Sequence, residues 1–241
     1  MNLIECQTFT VQPFEVDYKG NIAFPLLVNN LLNVASHHAN KRGFGVAKLN
    51  QGNRTWVLSR IAIELYAPPR IADSFQIETW IESVMRTFTF RNFAIKKLDG
   101  KPIGYARTIW AMIDQSSRRP INLTGMGIEK FICNRDCPIE KISKISDAST
   151  SIADEFVVKY SDIDLNRHLN SAKYIEHILN SLSKKELIEN DIRRMEVEYI
   201  EECVFSDRIS VTKSNTDIKE TTISLIKESG KTVCRSRLTF K

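Results

Sequence analysis

Ile95-Lys96-Lys97-Leu98-Asp99-Gly100-Lys101-Pro102-Ile103 recurs, with substitutions, 130 residues later as Leu225-Ile226-Lys227-Glu228-Ser229-Gly230-Lys231-Thr232-Val233. Asp99-Gly100 between strand-forming runs is a strong hairpin signal. At the same offset Arg107 continues onto Arg237 and Trp110 onto Phe240. Upstream, Ile63-Glu64-Leu65 falls on Val197-Glu198-Tyr199 at an offset of 134, which carries Asp73 onto Asp207. Near the helices the best offset is about 145, setting Asn21 on Asn166. Three matches in one order predict an internal duplication. The offset drops by about 11 between helix and second strand, which predicts a longer loop in the first half, within 43–54.

Each copy reads as strand, long helix, then four strands. In the first, residues 4–17 alternate weakly and Lys19-Gly20-Asn21 is a turn. Leu27, Val28, Leu31, Leu32 and Ala35 share one face of a helix predicted over Phe24–Arg42, with Pro25 in its first turn and Gly43 at its end. Strands are predicted near 56–66, 75–84, 87–97 and 103–113. In the second copy a strand at 154–160 precedes a helix over 171–183, whose stripe is Ala172, Ile175, Ile178, Leu179 and Leu182. A helical extension 184–189 leads to strands near 192–200, 207–214, 219–227 and 232–240. A helix with a broad apolar face followed by an antiparallel meander predicts an α+β fold, a sheet wrapped round its helix. The domains are then 1–118 and 153–241, joined by a linker over 119–152 with one short helix.

Composition narrows the function. Net charge is +5 and spread along the chain, which suits an acidic partner, while no recognition-helix or basic–aromatic pattern supports nucleic-acid binding. No run of 18 apolar residues predicts a membrane span. The start Met1-Asn2-Leu3-Ile4-Glu5 has no basic and apolar leader, so it reads as mature chain. The five cysteines are odd in number and scattered, which predicts a reducing cytoplasm rather than a disulfide framework. Cys133 and Cys137 lack partners at zinc-site spacing, so no metal is expected. His37 and His38, near the end of the first helix, read as one exposed and one partly buried residue, His177 as a border residue, and the three tryptophans as core or cavity wall.

The polar concentration lies in Ser161-Asp162-Ile163-Asp164-Leu165-Asn166-Arg167-His168-Leu169-Asn170. Asp164, Asn166 and His168 stand at i, i+2 and i+4, and an extended segment would send all three from one face. Asn170 or Ser171 would cap the following helix, whose N-terminal N–H groups could polarise a carbonyl oxygen. At the predicted offset Asp164 meets Lys19, Asn166 meets Asn21, and His168 meets Ala23. Glu202 and Cys203 meet Pro68 and Pro69. The acid–base groups therefore lie in the second copy alone. A carboxylate near a histidine has the parts of a general base, and a cysteine near a histidine those of a nucleophile. Residue type alone leaves Glu202 and Cys203 both open.

Ser161 to Ile175 closely resembles the motif of acyl-acyl-carrier-protein thioesterases of plants and bacteria. Val197-Glu198-Tyr199-Ile200-Glu201-Glu202-Cys203 resembles the same family's second motif, an acidic residue before a cysteine. Trp56-Val57-Leu58-Ser59-Arg60 and Trp110-Ala111-Met112 are similar to its first-half segments. The resemblance covers nearly the whole chain and implies two tandem hotdog domains. It further implies hydrolysis of fatty acyl thioesters on acyl carrier protein, without cofactor. Asp164, Asn166, His168 and Glu202 fall on the family's catalytic positions, and Cys203 on a cysteine of disputed role. It implies that the first half holds the acyl chain. A homodimer is one assembly open to such a chain. Acyl-CoA hydrolysis, dehydration of 3-hydroxyacyl thioesters and non-catalytic acyl-thioester sensing are the competing functions.

Overall fold

The computed structural model describes residues 3–148, 151–217 and 219–241. Met1 and Asn2 of the N-terminal reading, and Ser149 and Thr150 of the expected linker, fall outside them. The chain divides into two compact units, Met1–Lys141 and Ile142–Lys241.

The first unit is a five-stranded antiparallel sheet with one long helix. Its strands are β1 (Glu5–Thr10), β2 (Arg54–Leu65), β3 (Ser74–Val84), β4 (Phe88–Lys97) and β5 (Pro102–Asp114), in the order β1-β3-β4-β5-β2. Helix α1 (Phe24–Lys41) packs on β1 and β3. Pro25 sits in its first turn, where no backbone donor is lost. Leu27, Val28, Leu31 and Val34 are fully buried, each worth about 1.5–3 kcal/mol relative to exposure. His37 is exposed, as one of the pair was expected to be, while His38 is fully buried rather than partly. The predicted loop 43–54 holds a further short helix, α2 (Val46–Asn50), anchored by buried Leu49.

The second unit repeats the plan with β6 (Ile152–Val157), β7 (Ile192–Tyr199), β8 (Arg208–Asp217), β9 (Glu220–Lys227) and β10 (Thr232–Phe240), ordered β7-β10-β9-β8-β6. Helix α3 is shorter than predicted, Ser171–Asn180, with Ala172, Tyr174, Ile175 and Ile178 buried. The 184–189 extension is a separate helix, α4 (Lys184–Glu189). Ser183 accepts from the Glu186 N–H and the Glu186 carboxylate reaches back to the Ser183 N–H, so a capping box restarts the helix.

The duplicated hairpins close identically. The Gly100 N–H donates to Lys97 O at 3.0 Å, and the Gly230 N–H to Lys227 O at 2.8 Å. Both glycines are left-handed, at φ 88° and 79°, which explains why each copy needs one there. Arg107 and Arg237, matched at the 130 offset, each clamp a segment of the expected linker. Arg107 donates to Cys137 O at 2.7 Å and Ile139 O at 3.0 Å, while Arg237 holds Ser143 and the Lys144 carbonyl. Much of the 119–152 stretch is therefore packed: Leu123, Ile128, Cys137 and Ile139 are buried in the first unit, and its short helix is a 3-10 turn at Ile128–Phe131.

Candidate active site

Residues 161–170 form a closed loop rather than an extended strand. Tyr160–Asp162 make a 3-10 turn, and Ile163 bridges Leu169. Between them the Asp164 N–H donates to His168 O at 2.8 Å. The Asp164 carboxylate accepts from the N–H groups of Asn166, at 2.8 Å, and His168, at 3.3 Å. Arg167 takes φ 67°, a left-handed conformation disfavoured for a side chain of its kind. Asp164, Asn166 and His168 therefore do not share a strand face, because the alternation rule holds only for extended chain. Asp164 organises the loop backbone, Asn166 is exposed, and His168 is half-buried.

The first unit builds the same loop without the histidine. The Asp17 N–H donates to Asn21 O at 2.8 Å, and its carboxylate accepts from the N–H groups of Lys19, at 2.8 Å, and Asn21, at 3.0 Å. Gly20, at φ 75°, stands where Arg167 does. The true offset here is 147, since 164 − 17 = 147, two more than the sequence suggested. Asp164 meets Asp17, Asn166 meets Lys19 and His168 meets Asn21, which corrects the pairings with Lys19, Asn21 and Ala23. Both loops are short and polar, so nothing but their hydrogen bonds sets the register. Downstream the 134 offset holds, because the Ile22 N–H reaches Pro69 O and the Leu169 N–H reaches Cys203 O, each at 2.8 Å.

That last bond, with a bridge between His168 and Val204, brings the motif loop to the Glu201–Val204 segment. Lys227 donates to the Glu202 carbonyl at 2.8 Å and pairs with Asp207 at 3.1 Å, which ties the segment to β9. The outcome is a His168 Nε2 to Glu202 Oε2 distance of 3.3 Å, with the side chains 26% and 36% exposed. Cys203 goes the opposite way. It is fully buried, its N–H donates to the Tyr174 hydroxyl oxygen at 3.1 Å, and burial pushes its thiol above the usual range. The Tyr174 hydroxyl in turn donates to Glu201 O at 3.2 Å. Lys227 entered the sequence reading only as part of the repeat, since its contact with Glu202 spans 25 residues and has no local signature.

Asn170 caps α3 by accepting from the Ala172 N–H at 2.8 Å, and its carbonyl accepts from Lys173 and Tyr174. The first turn thus offers one donor without an acceptor among the described residues, the Ser171 N–H. The open helix terminus expected from sequence is narrowed to that one group.

Two units, each a five-stranded antiparallel sheet with its helix, and, among the described residues, a histidine–carboxylate approach in the second alone, define a tandem hotdog protein. Residues 4–131 match the acyl-ACP thioesterase N-terminal domain and residues 145–241 the C-terminal domain, so the chain belongs to the acyl-ACP thioesterase family. A crystal structure of an acyl-ACP thioesterase from Bacteroides thetaiotaomicron is 44% identical, with a TM-score of 0.95 over 99% of this chain and 98% of that one. The 12:0-ACP thioesterase from Umbellularia californica shares the fold, with a TM-score of 0.85 at 20% identity over 99% and 94% of the two chains. An oleoyl-acyl carrier protein thioesterase of Coriandrum sativum is 27% identical over 88% of this chain and 63% of its own length. A palmitoyl-acyl carrier protein thioesterase of Gossypium hirsutum is 26% identical over 89% of this chain and 57% of its own. The chain thus spans under two thirds of the curated relatives it matches.

Proposed function

We propose that the protein hydrolyses fatty acyl thioesters carried on acyl carrier protein, releasing the free fatty acid and ending chain elongation. The second unit carries the chemistry and the first unit the chain. Family membership supports the substrate class. The observation that carries the chemistry is the 3.3 Å approach of His168 and Glu202, on two segments tied by backbone hydrogen bonds. Distances slightly beyond an ideal hydrogen bond are usual before substrate binds.

In this reading Glu202 takes a proton from water, directly or through His168, as the water oxygen bonds to the thioester carbonyl carbon. The oxyanion that forms faces backbone donors such as the Ser171 N–H. Collapse breaks the carbon–sulfur bond, and the carrier's thiolate leaves and takes up a proton. Asn166 orients water or carbonyl, and Asp164 acts through the loop that positions His168. The setting is cytoplasmic, which five unpaired cysteines suit.

The test is release of free thiol from acyl-ACP, with fatty acid in equal amount. His168→Ala should lose most turnover, whereas Asn21→Ala, at the matching position of the first unit, should keep it. Equal loss in both folded variants would sink the assignment to the second unit. Water loss without thiol would instead indicate a dehydratase.

A further inference from the structure

A cavity of about 80 Å³ opens in the first unit between α1 and the sheet. Leu32, Ala39, Trp56, Ile81 and Trp110 give it apolar walls. Three polar side chains interrupt them: Ser36 on α1, and Thr89 and Arg91, which stand at i and i+2 on β4 and so share a face. Ser36 is exposed, whereas Thr89 and Arg91 are each only 5% exposed.

Arg91 is a buried cation that meets no carboxylate among the described residues. Its Nη1 donates to Thr79 Oγ1 at 3.2 Å, and its Nη2 donates to His38 Nδ1 at 3.3 Å. Because guanidinium only donates, His38 accepts through Nδ1 and donates from Nε2 to Leu3 O, at 3.2 Å. Burial, then the Arg91 charge, hold His38 down to about 3, so it is neutral and compensates nothing. Burial, then the like charge of Arg42, lower Arg91 to about 9, which leaves it cationic at neutral pH. Two of its five N–H groups are engaged, and the Thr89 hydroxyl makes no hydrogen bond among the described residues. An apolar residue of similar volume would serve stability better than an uncompensated buried charge. Buried donors and an unengaged buried hydroxyl inside a mostly apolar cavity are what an aliphatic chain with one polar group would require.

We propose that this cavity selects acyl chains bearing a hydroxyl, with Arg91 donating to the hydroxyl oxygen and Thr89 accepting its proton. A chain of methylenes alone would leave both groups unsatisfied, and a site built to hydrogen-bond a hydroxyl discriminates far more strongly than an apolar one. The proposal rests on the thioesterase reading and on the first unit holding the chain.

The experiment compares dodecanoyl-pantetheine with the series of monohydroxydodecanoyl-pantetheines as substrates. Their non-hydrolysable amide analogues are the calorimetric binding probes. One hydroxyl position should exceed the plain chain by about tenfold or more in kcat/KM and in affinity, the scale of a hydrogen bond to a charged group. Arg91→Met should invert the order, raising turnover of the plain chain and lowering that of the hydroxylated one. Thr89→Val, which keeps side-chain shape, should narrow the preference if Arg91→Met does not fold. If neither chain is hydrolysed, the proposed activity fails, and the amide affinities still decide the cavity's preference. Equal affinities for plain and hydroxylated analogues at every position would overturn the proposal. So would an Arg91→Met protein that loses both chains alike with a lowered Tm, which would make Arg91 a structural residue.

Discussion

Glu202 and Cys203 are neighbours with opposite surroundings. Glu202 is partly exposed beside His168, and Cys203 is fully buried with its thiol pushed up by that burial. A buried thiol is a poor source of thiolate. Cys203→Ala should therefore keep much of the activity, while Glu202→Ala should lose on the order of 10²-fold or more in steady-state hydrolysis. An acyl adduct on Cys203 by intact mass, with an inert Cys203→Ala, would reverse the two roles. His38 supplies a second residue-scale prediction. Burial first, then the Arg91 and Arg42 charges, depress it to about 3, against a Leu3 carbonyl bond that opposes them. Its folded value thus lies below its unfolded one near 6.5, so the unfolded chain binds the extra proton between the two. The contribution of neutral His38 is complete above pH 6.5 and is lost as pH falls towards 3, by at most about 1.4 kcal/mol per pH unit. His38→Gln, which keeps a donor and an acceptor, should flatten that slope in denaturant unfolding. Parallel wild-type and variant curves from pH 6.5 to 4.5 would refute it.

The motif loop, as an element, depends on one carboxylate that receives two backbone N–H groups. Asp164→Asn retains an accepting oxygen at the same place, whereas Asp164→Ala removes it. If Asp164 positions His168 rather than touching substrate, Asn should keep most of kcat and Ala should lose at least about tenfold, with KM less affected. Asp17 performs the same closure in the first unit, where Asn21 replaces the histidine, which supports a structural use of the aspartate. Full loss in Asp164→Asn would show that the charge itself enters the chemistry. The helices and hairpins around this loop were legible because periodicity, Pro25, Asn170 and the two turn glycines act locally. The shortening of α3 and restart at α4 followed from Ser183 and Glu186, a capping box present in the sequence but not read from it.

At the scale of the whole molecule, a net charge of +5 should attract an acidic carrier protein and raise its association rate. kcat/KM on acyl-ACP should fall steeply with added salt, because the Debye length is only about 10 Å at 0.1 M. Activity on acyl-pantetheine, which carries no protein charge, should stay nearly level over the same range. A flat profile for acyl-ACP would remove charge steering from the proposed function.

The amino-acid sequence by itself determined that the chain is duplicated, that each copy is a helix with an antiparallel sheet, and that the residues proposed for acid–base chemistry, Asp164, Asn166, His168 and Glu202, lie in the second copy. The duplication follows from matching runs about 130 to 145 residues apart, and the other two from period, turn chemistry and residue type, readable within a few residues. Tertiary structure alone decided which groups meet. It closed the 161–170 loop through Asp164, shifted the repeat register there to 147, and set Glu202 rather than Cys203 beside His168. It also buried Arg91 against a neutral His38, 53 residues away. The Asp164 closure is local, but the pairings of His168 with Glu202 and of Arg91 with His38 join segments whose separation along the chain is arbitrary, so they leave no spacing in the sequence to detect.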